Sequence, residues 1–174
     1  MGWEVEAKWE ADGMFCVVVM TSMGHRCGYV GVGKDHPLYG AAYDEKHPAL
    51  ERAWEARKKQ TDDLQKIGLG PLLGVLSGTA AATPEMVFDV HGGITYSGGG
   101  DRYPVDGDWW FFGYDCAHAG DRGGGSLRGH TWTLEECRKE CESLAAQLRA
   151  VADPEYSEAL HELNEEFPGI EEKT

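Results

Sequence analysis

Two runs of opposite character meet at Asp12-Gly13, and they constrain the fold more than any other feature of the chain. Before that pair, Trp3, Val5, Ala7 and Trp9 alternate with Glu4, Glu6 and Lys8, the period of two that a half-buried strand requires. After it, Met14 to Met20 is an unbroken β-favouring apolar run. Asp-Gly between two such runs is a tight-turn signal, so they are predicted as an antiparallel hairpin. A third strand is predicted over Cys27–Val32, flanked by Gly24 and Gly33. His36-Pro37 then imposes extended or turn geometry, because proline disfavours helix in the residue before it.

The clearest helix lies far downstream. Thr133 and Glu136 have capping-box spacing, and Leu134, Cys137, Cys141, Leu144, Leu148 and Val151 follow as one apolar stripe. Asp153-Pro154 opens a second helix with Tyr156, Leu160, Leu163 and Phe167 on one face, stopped by Pro168-Gly169. Upstream, Pro48, Leu50, Ala53 and Trp54 begin a charged helix reaching about Lys66, which Gly68, Gly70 and Pro71 end. Residues 47–85 therefore read as a peripheral helical insertion that the core does not need. The sheet is predicted to resume over Met86–His91 and Ile94–Tyr96. Phe88, Val90, Ile94 and Tyr96 then share one face, opposite Asp89, His91 and Thr95. Trp109–Asp115 is the next predicted strand. The expected fold is α+β: a single antiparallel β-sheet backed by C-terminal helices, with a helical insertion. Residues 1–152 form the core domain and 153–174 an acidic C-terminal helix and tail.

At 174 residues, 41% hydrophobic, with six tryptophans, the chain fits one folded domain. No stretch approaches the ~20 apolar residues that cross a bilayer, and the first residues show no basic segment leading into an apolar run. Five cysteines without a CxxC pair argue for reduced thiols, Cys137 and Cys141 as core residues, and a cytoplasmic setting. The formal charge is −14, and residues 153–174 carry eight carboxylates against one lysine, half of that excess. Such a surface repels nucleic-acid backbones and suits a basic protein partner.

Chemistry concentrates where glycine does. Twelve of the 24 glycines fall between Gly92 and Gly129. Asp89-Val90-His91-Gly92-Gly93 and Asp115-Cys116-Ala117-His118-Ala119-Gly120-Asp121 each carry a strand into a glycine loop. If those strands are neighbours, His91, His118, Asp115 and Asp121 converge at one end of the sheet as catalytic candidates. Imidazole shuttles protons near neutral pH, and carboxylates orient it. His91, His118 and Asp121 are also the set that would hold a divalent metal, if one is used. A second group, His25, Arg26, Cys27 and His36, is one of the few basic patches and suits an anionic ligand. With Gly92, Gly93 and Thr95 it completes the ligand-binding set. Cys27 beside Arg26 has the setting of an activated thiolate, against its place in a strand as a core residue, the preferred reading. Asp89-x-His91, Gly120-Asp121 and Gly129-His130 echo binuclear metallophosphoesterases only in common dipeptides, and their Gly-Asn-His segment is absent.

Four ordered segments carry a resemblance: Met23-Gly24-His25-Arg26-Cys27-Gly28-Tyr29-Val30, His36-Pro37-Leu38-Tyr39-Gly40, His91-Gly92-Gly93-Ile94-Thr95-Tyr96 and Phe112 to Asp121. They resemble a family of small bacteriophage and prophage-type proteins carrying MGHxCGYV, HPxYG, HGGLTY and GFDCAHAGD in this order. Leu144-Ala145-Ala146-Gln147-Leu148 matches that family's LAxQL ending. Departures are Ile94 for leucine, Tyr114 for phenylalanine, Gly33 for proline and the long 47–85 segment. The resemblance implies a phage origin, and with it the host cytoplasm, but no reaction. Two readings follow. One is a His/Asp pocket that binds, and hydrolyses, a small polar, nucleotide-like ligand, in counter-defence. The other is a non-enzymatic acidic protein whose 153–174 carboxylates engage a basic host protein, as an inhibitor or DNA mimic.

Overall fold

The computed structural model describes residues 2–60, 81–122 and 128–156. Strands β1 (Trp3–Ala11), β2 (Met14–Thr21) and β3 (Arg26–Val32) form an antiparallel meander. Asp12 and Gly13 both hold positive φ, 51° and 77°, the backbone that a two-residue turn between right-twisted strands demands. A short 3-10 turn (Pro48–Leu50) runs into α1 (Glu51–Gln60), followed by a single-turn helix α2 (Pro84–Val87). Strands β4 (Tyr96–Gly99) and β5 (Trp110–Asp115) complete one five-stranded antiparallel sheet in the order β1-β2-β3-β5-β4. Helix α3 (Leu134–Ala152) lies across β2 and β3. The capping box is present: Thr133 Oγ1 accepts from the Glu136 amide while the Glu136 carboxylate accepts from the Thr133 amide.

Alternate residues of the central strands feed two cores. Cys16, Val18, Val30, Val32, Phe112 and Tyr114 face α3 with Cys137, Cys141, Leu144 and Leu148. Val17, Val19, Cys27, Tyr29 and Phe111 face the other way, covered by Tyr96, Tyr103, Val105 and Trp109. No helix among the described residues is long and apolar enough to cross a membrane.

Three expectations need correction. Met86–His91 is not a strand. Thr83 caps α2, accepting from the Met86 amide, and Pro84 at its start suits helix. Phe88 beyond it is extended, but among the described residues no strand pairs with this stretch. Gln147 of α3 takes that place, its Oε1 accepting from the Asp89 amide at 2.8 Å and its Nε2 donating to the Asp89 carbonyl at 2.9 Å. The burial alternation of Phe88 and Val90 is real, yet Tyr96 joins the opposite core from Phe88, Val90 and Ile94. Nor is the start of the 47–85 segment peripheral. Leu50 is fully buried, Trp54 is 7% exposed, and both belong to the helix-covered core. Arg57 adds a hydrogen bond to the Val87 carbonyl at 3.0 Å and an ion pair with Asp89 at 3.5 Å. Residues 61–80 of that segment, and 157–174 of the acidic tail, lie outside the described residues. The tail's helix begins as expected at 154–156, where Tyr156 hydrogen-bonds Asp12 across to the first turn.

Candidate functional site

His91 owes its place to helix and glycine rather than to a ladder. Its amide donates to the Glu140 carboxylate of α3. Burial, more than anything, raises the Glu140 pKa, while that amide bond works the other way. The chain then turns through Gly92 and Gly93, at φ 69° and 87°. A Cβ on Gly92 would stand 1.8 Å from His118 Nε2, so only glycine lets the His118 ring lie against this turn.

The 115–132 stretch brings the partner. Asp121 is 4% exposed. Its Oδ2 meets His91 Nε2 at 2.7 Å and accepts from the His118 amide at 2.9 Å, while Oδ1 accepts from Trp132 Nε1 at 3.0 Å. Burial opposes its charge, but the bonds from His91, the His118 amide and Trp132 outweigh it and hold the carboxyl below its ordinary value. An ionised carboxylate only accepts, so His91 Nε2 carries hydrogen and Nδ1 keeps the lone pair in the neutral ring. The His91 ring lies 4.3 Å from Trp132 and 5.3 Å from His118, centre to centre, and its side chain is 24% exposed.

Next to this pair, His118 Nε2 is buried without a hydrogen bond, 3.5 Å from Asp115 Oδ1. That approach, at the distance limit, is a contact and not a hydrogen bond. Asp115 also accepts from the Ala117 amide at 3.1 Å and from Thr95 Oγ1 at 3.2 Å. The four His/Asp candidates and Thr95 therefore do gather at one end of the sheet, beyond the Cys27–Asp115 pair of β3 and β5.

On the far side of Trp132 at that same end lies a cleft of about 240 Å³, lined by His25, Arg26, Arg122, His130, Cys116 and Met23 among others. Arg26 is already engaged, in two bonds to Glu6 at 2.6 and 2.9 Å and one to the Trp132 carbonyl at 2.7 Å. Glu6 is the residue left out of the β1–β2 pairing where its register shifts between Val5 and Ala7. His130 pairs with Glu136 at 2.9 Å. Among the described residues no side chain pairs with the Arg122 guanidinium.

Two members of the predicted binding set do not belong here. His36 sits beyond the opposite end of β3, 9% exposed, its Nε2 on the Leu148 carbonyl at 2.9 Å and its Nδ1 accepting from the Leu38 amide at 3.1 Å. Cys27 is a core residue, and burial pushes its thiol up to about 11, the reverse of activation. Among the described residues no three His, Cys, Asp or Glu side chains are arranged to hold a metal ion. Asp121 has both oxygens on protein donors, which leaves the set of His91, His118 and Asp121 a ligand short.

Sequence reasoning missed Trp132, Arg122 and Glu140. Trp132 had a signal: it precedes the N-cap Thr133, the position where an apolar side chain folds back on the first turns of a helix. Glu140 had none, because an exposed-face glutamate on a helix looks like any other. Comparison with protein-family models, curated proteins and solved structures finds no match to this chain.

Proposed function

We propose that the protein binds a small anionic, nucleotide-like ligand at the Arg26 end of the sheet, and that His91 is the general base for its hydrolysis. The observation that carries this reading is the buried Asp121 carboxylate with three donors on it, one of them a partly exposed imidazole. Burying a carboxylate is costly, and this one fixes one tautomer of one histidine. His91 does not line the cleft but lies against Trp132, one of its walls, so its Nδ1 takes a proton from a water attacking the part of the ligand that extends past that ring, and Asp121 stabilises the imidazolium that forms. The cleft is smaller than the ~300–1,000 Å³ of whole-ligand pockets, which suits a phosphate-sized anionic group whose remainder stays outside. Arg122, His25 and His130 are the cations available to it, two of them only when protonated. The phage-type resemblance supports a setting in the host cytoplasm and a role against a host signalling nucleotide.

Calorimetric titration with inorganic phosphate and a panel of mono- and cyclic nucleotides tests the binding. Submillimolar affinity for at least one, lost in Arg122→Ala, is the expected result. His91→Gln is expected to keep binding and lose roughly a hundredfold or more in turnover, the ordinary worth of a positioned base. Absence of binding across the panel at millimolar concentration overturns the reading. Binding with turnover intact in His91→Gln removes its catalytic half.

A further inference from the structure

We infer that Cys116 and Cys137 form an oxidisable dithiol, and that its closure to a disulfide ties together the two ends of the loop carrying the candidate site. Cys116 is the residue after β5 and Cys137 lies in the first turn of α3, yet their sulfurs are 3.7 Å apart. His118, Asp121, Arg122, His130 and Trp132 all lie between them in sequence. All five cysteines are free and buried, and this pair is joined by a hydrogen bond between its sulfurs. Cys141, one turn further along α3, contacts the Tyr114 hydroxyl at 3.6 Å instead.

Access favours Cys116 as the first sulfur oxidised and polarity favours Cys137 as its partner, while the Cys137 contact and burial raise the Cys116 thiol, so its proton leaves only with the departing hydroxide. Although Cys116 is only 3% exposed, it forms part of the cleft wall, so a small oxidant reaches it from solvent. Arg26 lines the same cleft. A hydrogen bond from the Cys116 thiol, and then the Arg26 charge, hold the Cys137 thiol below its ordinary value in spite of burial. Closure to a bond of about 2.05 Å needs side-chain rotation and a small shift of the loop end.

The reaction balances with a hydroperoxide as oxidant. The Cys116 sulfur attacks one peroxide oxygen and the O–O bond breaks. With hydrogen peroxide, the Cys116 proton joins the departing hydroxide as water, leaving a sulfenic acid. The Cys137 thiolate attacks that sulfur, the S–S bond forms, and hydroxide leaves to take up the Cys137 proton as a second water. Two thiols are oxidised by two electrons and one peroxide is reduced.

The test treats the reduced full chain with equimolar hydrogen peroxide, counts thiols after denaturation, and maps a non-reducing tryptic digest. Cleavage at Arg102, Arg122, Arg128 and Arg138 isolates peptides 103–122 and 129–138, each with one cysteine. The expected result is a fall from five thiols to three, with those two peptides linked, and full reversal by dithiothreitol. Cys137→Ser is expected to stop at a Cys116 sulfenic acid, captured by dimedone, with no linked peptides; should it not fold, the wild-type peptide map decides alone. Five thiols persisting, linkage between other cysteines, or irreversible sulfinic acid at Cys116 overturns the proposal.

Discussion

At the Val32 end of the sheet, His36 has both ring nitrogens consumed by main chain, one on the Leu148 carbonyl and one under the Leu38 amide. At the Arg26 end, His91 has one nitrogen on a buried carboxylate and the other unclaimed among the described residues. Both rings carry hydrogen on Nε2, and both follow or precede a glycine turn. The difference lies in what receives that hydrogen. A carbonyl on one side and an amide on the other make His36 a neutral staple between the β3 exit loop and the end of α3. A carboxylate on one nitrogen orients the His91 ring and leaves the other nitrogen's lone pair unspent. Histidine near glycine says nothing by itself about function; the chemistry of its two neighbours does.

Removing the staple is the harshest way to test the contrast. His36→Ala leaves a buried amide and a buried carbonyl unpaired and is expected to cost about 2–5 kcal/mol in urea unfolding, against much less for His91→Gln. Equal losses at the two positions would break the comparison. Acid separates the ends next. Burial lowers the His36 pKa, the Leu148 bond only partly offsetting it, so the folded protein holds this proton less readily than the unfolded chain. That stabilising contribution is full above the unfolded value of about 6.5 and declines as pH falls through it, by at most about 1.4 kcal/mol per pH unit for one proton. Asp121 behaves as a depressed carboxyl, and its share is lost only lower, as pH falls below about 4. Urea midpoints of wild type and His36→Gln should therefore diverge at neutral pH and converge by about pH 5; parallel curves would show that His36 is not the group being titrated. Gly92→Ala is the gentlest probe, expected to cost about 1–2 kcal/mol from its φ alone. It also pushes the His118 ring aside, which histidine NMR would register as a shift confined to the open end.

The strands and the capped helix were legible because their signals are local. Asp12-Gly13 sets one turn, and Thr133 with Glu136 sets one helix start. The meeting of His91 with Asp121 was anticipated from two glycine-edged segments, but on a premise that held for only one of them: Asp115 ends a strand, whereas the residues before His91 are not a strand and the helix seats them instead. What failed was non-local. Phe88 and Val90 alternate as a strand does, but a pattern of burial cannot reveal that the polar groups between them pair with Gln147 and Glu140, far along the chain. His36 looked like a ligand because nothing in His36-Pro37 announces the Leu148 carbonyl above it. The 47–85 segment looked peripheral because the narrow apolar stripe of Leu50, Ala53 and Trp54 in a charged helix does not show how deeply it sits.

The side-chain pairing of α3 with Asp89 and His91 has a consequence for the order in which the molecule comes into being. A ribosome delivers β1 to β3 first, and these can pair as they emerge, since their contacts are close in sequence. His91 must wait for Glu140, 49 residues later, and Asp89 for Gln147, 58 residues later. A nascent chain halted before Leu134 holds the strands and the site's histidines but not the helix that seats His91. The seating of Asp89 and His91 is thus completed only once translation has passed Gln147, and a chain terminated before the helix lacks it even where its sheet has formed.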